Sequence, residues 1–162
     1  PFSLSAFTSI AINSLKWQDP ERDKFSNRLS YTWQVHVARK FNERFSLQIS
    51  PSLIHRNYTF TDREPNTIFA LGAGGRFKIT SRVSFNAEYY YVFANDKDTY
   101  PIPVYNPLSL GFDIETGGHV FQLVFTNSVA MIEKGFITET TGQWGKGDVH
   151  FGFNISRVFT LY

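Results

Sequence analysis

The chain has 162 residues, no cysteine, a formal charge of +2 and 17% aromatic residues, roughly twice the aromatic share of an ordinary soluble domain. The length suits a single domain over 1–162, and the lack of thiols excludes disulfides, a thiolate nucleophile and a cysteine-held metal. Charges of both signs are interspersed, leaving no basic patch for nucleic acid, and the apolar runs fall far short of the ~20 residues of a membrane-spanning helix.

In chain order, "FSLSAFTSIAIN" reads as a first strand, with Phe7 and Ala11 set among serines. "LSYTWQVHVAR" is the clearest alternation: Leu29, Tyr31, Trp33, Val35 and Val37 share one face, and Ser30, Thr32, Gln34 and His36 the other. Period-2 alternation is the mark of a half-buried strand. After "KFNER", Phe45, Leu47, Ile49, Pro51 and Leu53 repeat it against Ser46, Gln48, Ser50 and Ser52. A second hairpin follows around "TSR". Phe69, Leu71, Ala73, Phe77 and Ile79 precede it and Val83, Phe85, Ala87, Tyr89 and Tyr91 follow, with Arg76, Lys78, Asn86 and Glu88 on the opposite face.

In the third hairpin the apolar residues are even-numbered before "TGGH" (Leu108, Leu110, Phe112, Ile114) and odd-numbered after it (Phe121, Leu123, Phe125). A two-residue Gly117-Gly118 turn pairs positions of odd sum, so same-face residues must switch parity there. "DVHFGFNISRVFTLY" supplies an eighth strand, with Phe151, Phe153, Ile155 and Phe159 on one face and His150, Gly152, Asn154 and Ser156 on the other. Short connections (40–44, 80–82, 117–118) alternate with long ones (about 14–27, 56–66, 94–106, 128–147).

Strands of ~9–11 residues, short turns at one end and long loops at the other describe an all-β, antiparallel up-and-down transmembrane β-barrel of the bacterial outer membrane. Eight strands are visible. A soluble ligand-binding barrel would turn the aromatic face inward instead. The polar residues argue against that: His36, Arg76, Lys78, Glu88, Asp113, Glu115 and Gln122 fall on the other face and are expected to line a polar lumen. Counting across the turns puts Glu88 diagonal to Arg76 and Asp113 opposite Gln122. Aromatics near strand ends, among them Trp33, Tyr89, Tyr91 and Trp144, are expected at the lipid interface. Arg157 interrupts the lipid face and is expected to snorkel to the headgroups at the short-turn end. Basic residues near the short turns (Arg39, Lys40, Arg44, Arg82) fit anionic headgroups or a solvated rim equally well.

The segments "ALGAGGRFKITSRVSFNAEYYYVF" and "LSLGFDIETGGHVFQLVFTNSVAMIEKGFITETTGQWGKGDVHFGFNISRVF" resemble an uncharacterised outer-membrane β-barrel family of Bacteroidetes, known mainly as a domain of unknown function. The resemblance covers most of the chain, most sharply 107–159. It implies a barrel in a Gram-negative outer membrane, with more than eight strands if sequence precedes Pro1, and carries over no activity or catalytic residue. Separately, the closing "DVHFGFNISRVFTLY" resembles the aromatic C-terminal strand by which outer-membrane barrels are recognised for assembly, which implies Phe159 as its terminal aromatic, with Tyr162 trailing beyond.

No enzyme motif accompanies these strands. His36, His55, His119 and His150 lack metal-ligand spacing, so neither a metal nor a cofactor is expected. His55, Asp62, Asp148 and His150 could share an extracellular rim but have no nucleophile motif beside them. In the 128–147 loop, Val129, Ile132 and Phe136 have rough helical spacing, which predicts a loop packed over or into the barrel mouth, or against a partner. The expected role is a non-enzymatic structural or accessory subunit of an envelope complex, with outer-membrane lipids and other envelope proteins as partners. The alternative is a pore for small solutes lined by Arg76, Glu88, Asp113 and Glu115.

Overall fold

A computed structural model describes residues 1–15, 17, 22–59, 61, 64–94 and 102–157. It is all-β apart from short helical turns: β1 (Ser3–Ile12), β2 (Leu29–Lys40), β3 (Phe45–Arg56), β4 (Thr67–Lys78), β5 (Val83–Phe93), β6 (Leu108–Thr116), β7 (His119–Thr126) and β8 (His150–Arg157). These form one antiparallel sheet in the order β1-β2-β3-β4-β5-β6-β7-β8, curled into a trough. Each strand pairs with its chain neighbour, the up-and-down pattern expected from the turns. Among the described residues β8 and β1 do not pair, so the eight strands curl without closing.

The turn chemistry fixes the register. Gly117 and Gly118 both take positive φ (45° and 128°), a region that costs other residues a clash at Cβ. That turn sets Thr116 opposite His119 and therefore Asp113 opposite Gln122. In the β2–β3 turn the Asn42 side chain accepts from the backbone N–H groups of Arg44 and Phe45. Thr80 does the same for Arg82 and Val83 in the β4–β5 turn.

Parity carries the apolar faces outward. Trp33, Val35, Leu47, Ile49, Leu71, Phe77, Tyr91 and Phe153 all lie exposed on the convex side, Ile49 at 53%. Aromatic neighbours gather towards the two strand ends. Tyr31 stacks on Trp33 and Tyr91 meets Phe93 near the long loops, while Phe41 with Phe45 and Phe85 with Phe112 lie near the short turns.

The concave side differs from the expected uniformly polar lumen. At the long-loop end it holds the hydrophobic core: Ile54, Ile68, Ala70, Tyr90 and Val92 from β3, β4 and β5, joined by Ile137 of a short helix. That helix, α1 (Glu133–Thr138), belongs to the β7–β8 loop and packs against β2 and β5. Gly72 makes room for this core, because a Cβ there would overlap the Tyr90 ring.

Candidate functional site

The concave face has two zones. In the middle, Gln34 of β2 donates to Ser52 Oγ (2.8 Å) and to the Tyr90 hydroxyl (3.2 Å) of β5, a bond that spans the trough. His36 Nδ1 lies 2.9 Å from Ser50 Oγ, and Gln48 Nε2 is in reach of both (3.3 and 3.1 Å). Glu88 borders the same cavity of about 740 Å³ with Gln34, His36, Tyr90, Gln122 and Asn154.

Towards the short turns, Arg76 Nη2 meets Glu115 Oε1 at 2.9 Å, and its Nε lies 3.8 Å from Asp113 Oδ2. Gln122 donates to Asp113 (3.2 Å) and accepts from Asn154 (2.9 Å), so one polar chain crosses β4, β6, β7 and β8. Register does place Glu88 diagonal to Arg76, since Arg76 opposes Asn86 and Gly74 opposes Glu88. The guanidinium nevertheless turns to β6, where two carboxylates share it. Lys78 sits beyond, lining a pocket of about 240 Å³ with Lys40, Arg44, Ser46 and Arg76. Lys40 bonds Glu43 at the tip (2.8 Å) and holds that exposed carboxyl below its ordinary pKa.

At the long-loop end the trough is covered. Phe136 of α1 meets the Tyr90 ring edge-on (5.9 Å, 87°), and Ile137 is 1% exposed within the core. The expectation of a packed 128–147 loop holds for Phe136, joined by Ile137, and not for Val129 and Ile132. Val129 and Ile132 are exposed (72% and 52%) and precede α1, whereas Phe136 and Ile137 within it meet the core. Buried Asn127 ties the loop down, donating to the carbonyls of Asn106 (3.1 Å) and Gly142 (2.9 Å) and accepting from Leu108 N–H (2.8 Å). At the end of β3, Arg56 and Glu64 of the β3–β4 loop form an ion pair at 3.5 Å, both largely buried. Asn127, Tyr90 and Ile137 carry this cap without any sequence motif. A loop Asn reads as a turn residue, and a single aromatic on a polar face reads as a wall residue.

Trp33, Tyr89 and Tyr91 lie on the convex face. Trp144 is not on a strand: it sits in a 3-10 turn of the β7–β8 loop, where its indole N–H donates to Leu108 O (3.0 Å) and pins the loop to β6. Arg157 ends β8 opposite His119, beside the Gly117-Gly118 turn and away from mid-strand. The described members of the rim group are dispersed, His150 bordering the concave cavity. His55 faces outward, bonded to Thr67 (2.8 Å) and stacked on Tyr31, while Asp148 accepts from Gln143 N–H. Asp62, Phe159 and Tyr162 lie outside the described residues. Among the described residues no three His, Asp or Glu side chains gather as a metal site would require.

A family model described as a membrane bound beta barrel domain (DUF5777) matches residues 1–159. No curated protein and no solved structure matches the chain.

Proposed function

The chain belongs to the DUF5777 family, whose domain is a membrane-bound β-barrel, and on that premise we propose that it is a non-enzymatic structural or accessory protein of the bacterial outer membrane, its lumen stoppered by its own long loop. The observation that carries this reading is the seating of Phe136 and Ile137 on Tyr90 and Ile54. A loop that buries large apolar side chains in a barrel mouth makes a packed plug, because each buried group adds contacts that an open channel would forgo. The Tyr- and Trp-bearing convex face meets lipid, and the long-loop end faces outward from the cell, free to hold other envelope proteins.

A second reading, a pore for small solutes, draws on the Arg76, Asp113, Glu115 and Gln122 strip, which α1 does not cover. Planar-bilayer recording separates the two. The plugged reading expects a closed baseline from the intact chain and discrete steps once residues 129–141 are deleted. Steady conductance by the intact chain, reduced by Arg76→Ala, would establish the pore instead.

A further inference from the structure

At the short-turn end of the concave face, positive charge is out of balance. Lys40 of β2, Arg44 just before β3, and Arg76 and Lys78 of β4 line one pocket of about 240 Å³ with Ser46, against a single carboxylate, Glu43. Strand pairing brings them there: Lys40 stands opposite Ser46, and Ser46 opposite Arg76. One step on, Lys78 N–H donates to the Arg44 carbonyl (2.7 Å), which sets those two cations opposite each other across the ladder. Like charges opposed in this way are destabilising, and an anion between them relieves the repulsion. We propose that this pocket is a binding site for a phosphate group, held by Arg44 and Lys78 at the short-turn mouth of the lumen.

Among the described residues the nearby acids are already engaged. Glu43 bonds Lys40 at 2.8 Å, and Arg76 meets Glu115 at 2.9 Å with Asp113 beyond it at 3.8 Å. Neither the Arg44 guanidinium nor the Lys78 ammonium has a side-chain hydrogen bond or ion pair among these residues. Lys40 and, less strongly, Lys78 draw the Glu43 carboxyl below its ordinary pKa, so the charge of Lys78 is felt across the pocket. A cleft lined by one sign of charge between protein walls focuses that field on whatever enters it.

Size and donor chemistry select the ligand. The pocket is smaller than the ~300–1,000 Å³ of sites for drug-sized molecules, so it takes a small anion. A phosphate monoester or inorganic phosphate offers several strong acceptor oxygens and more than one charge, which a guanidinium fork, an ammonium and the Ser46 hydroxyl can share. A chloride has no directed acceptors, and a carboxylate brings a single charge. A second pocket of about 310 Å³ shares Glu43, Arg44 and Lys78 and runs on to Thr80 and Ser81 of the β4–β5 turn, giving the site an approach from the turn side.

Isothermal titration of inorganic phosphate into the full chain, refolded in nonionic detergent with chloride as background salt, tests the site. The expected result is saturable binding, weakened about tenfold or more by Lys78→Gln and by Arg44→Gln and kept by Lys78→Arg. Arg39→Gln is the control: Arg39 adjoins Lys40 but lies on the convex face over the Phe2 and Phe41 rings (4.9 and 5.2 Å), and its loss leaves the affinity unchanged. In the unsubstituted chain, phosphate should also slow acetylation of Lys78 relative to Lys146 of the β7–β8 loop. No saturable binding, no protection of Lys78, or an equal loss from Arg39→Gln overturns the site and leaves a solvated basic rim. Lysophosphatidic acid added to the micelles identifies the source: it displaces phosphate if a lipid headgroup is the ligand and leaves the isotherm unchanged if free phosphate is. The site rests on the membrane-barrel reading for its place in the lumen but not on the plug. Absence of heat-modifiable gel migration would overturn that reading, whereas a heat-modifiable barrel that binds no phosphate overturns the site alone.

Discussion

The Tyr90 hydroxyl accepts a hydrogen bond from Gln34 Nε2 at 3.2 Å across the trough, while the edge of the Phe136 ring meets the other side of the same phenol. One residue of β5 therefore joins the polar middle of the lumen to the apolar cap. Tyr90→Phe keeps the ring and removes the hydroxyl. It should cost about 1 kcal/mol in denaturant unfolding of the refolded protein. Tyr90→Ala also removes the platform for Phe136 and Ile137 and should cost ~3–5 kcal/mol. Equal losses from the two variants would contradict the packing role of the ring.

Ile137 fills the centre of the cap at 1% exposure. Ile137→Ala should cost ~2–5 kcal/mol if the site cannot collapse. Ile137→Asp should expel the loop altogether, seen as new protease cleavage between 127 and 149 while the strands stay protected. Unchanged cleavage would show that the loop is held by something other than this side chain.

Asn127 makes three hydrogen bonds to backbone groups of two loops and the start of β6 from a buried position. Asn127→Ala should cost about 2–3 kcal/mol, since the partners it leaves behind are themselves shielded from water. Hydrogen exchange at Leu108 should accelerate, whereas exchange at Leu47 on the far side of the sheet should not.

Ile49 and Gln48 are sequence neighbours on opposite faces of β3. Ile49→Lys places a charge in hydrocarbon and should destabilise the folded protein in lipid by ~2–4 kcal/mol. Gln48→Lys faces the polar network around His36 and should cost under ~1 kcal/mol. Gel-shift titration of folded against unfolded bands in urea would rank the pair, and the reverse order would invert the sheet.

Much of this was legible before any coordinates, because strand faces follow a period of two and hairpin turns fix register by counting. Asp113 stands opposite Gln122 as the Gly117-Gly118 turn requires, and Glu88 lies diagonal to Arg76. What counting cannot reach is the sheet's curl. Curl takes Arg76 to Glu115 on β6, two strands from its own, and brings Tyr90 to Gln34. Loop packing was legible only as a tendency. The spacing of Val129, Ile132 and Phe136 suggests a helix, but α1 spans only Glu133–Thr138, so Val129 and Ile132 fall before it while Phe136 and Ile137 meet the core. Closure escapes the alternation pattern entirely, since an edge strand and an inner strand read alike.

The central claim is that the convex face meets lipid and the concave face does not. Trp33 tests it directly once Trp17 and Trp144 are replaced by Phe, by measuring quenching of its fluorescence in bilayers of chain-brominated lipid. Strong quenching at Trp33 and at Ile49→Trp, with weak quenching at Gln48→Trp, is the predicted result. Quenching that is strong at position 48 and absent at 33 and 49 would contradict it, placing the aromatic face inside the protein.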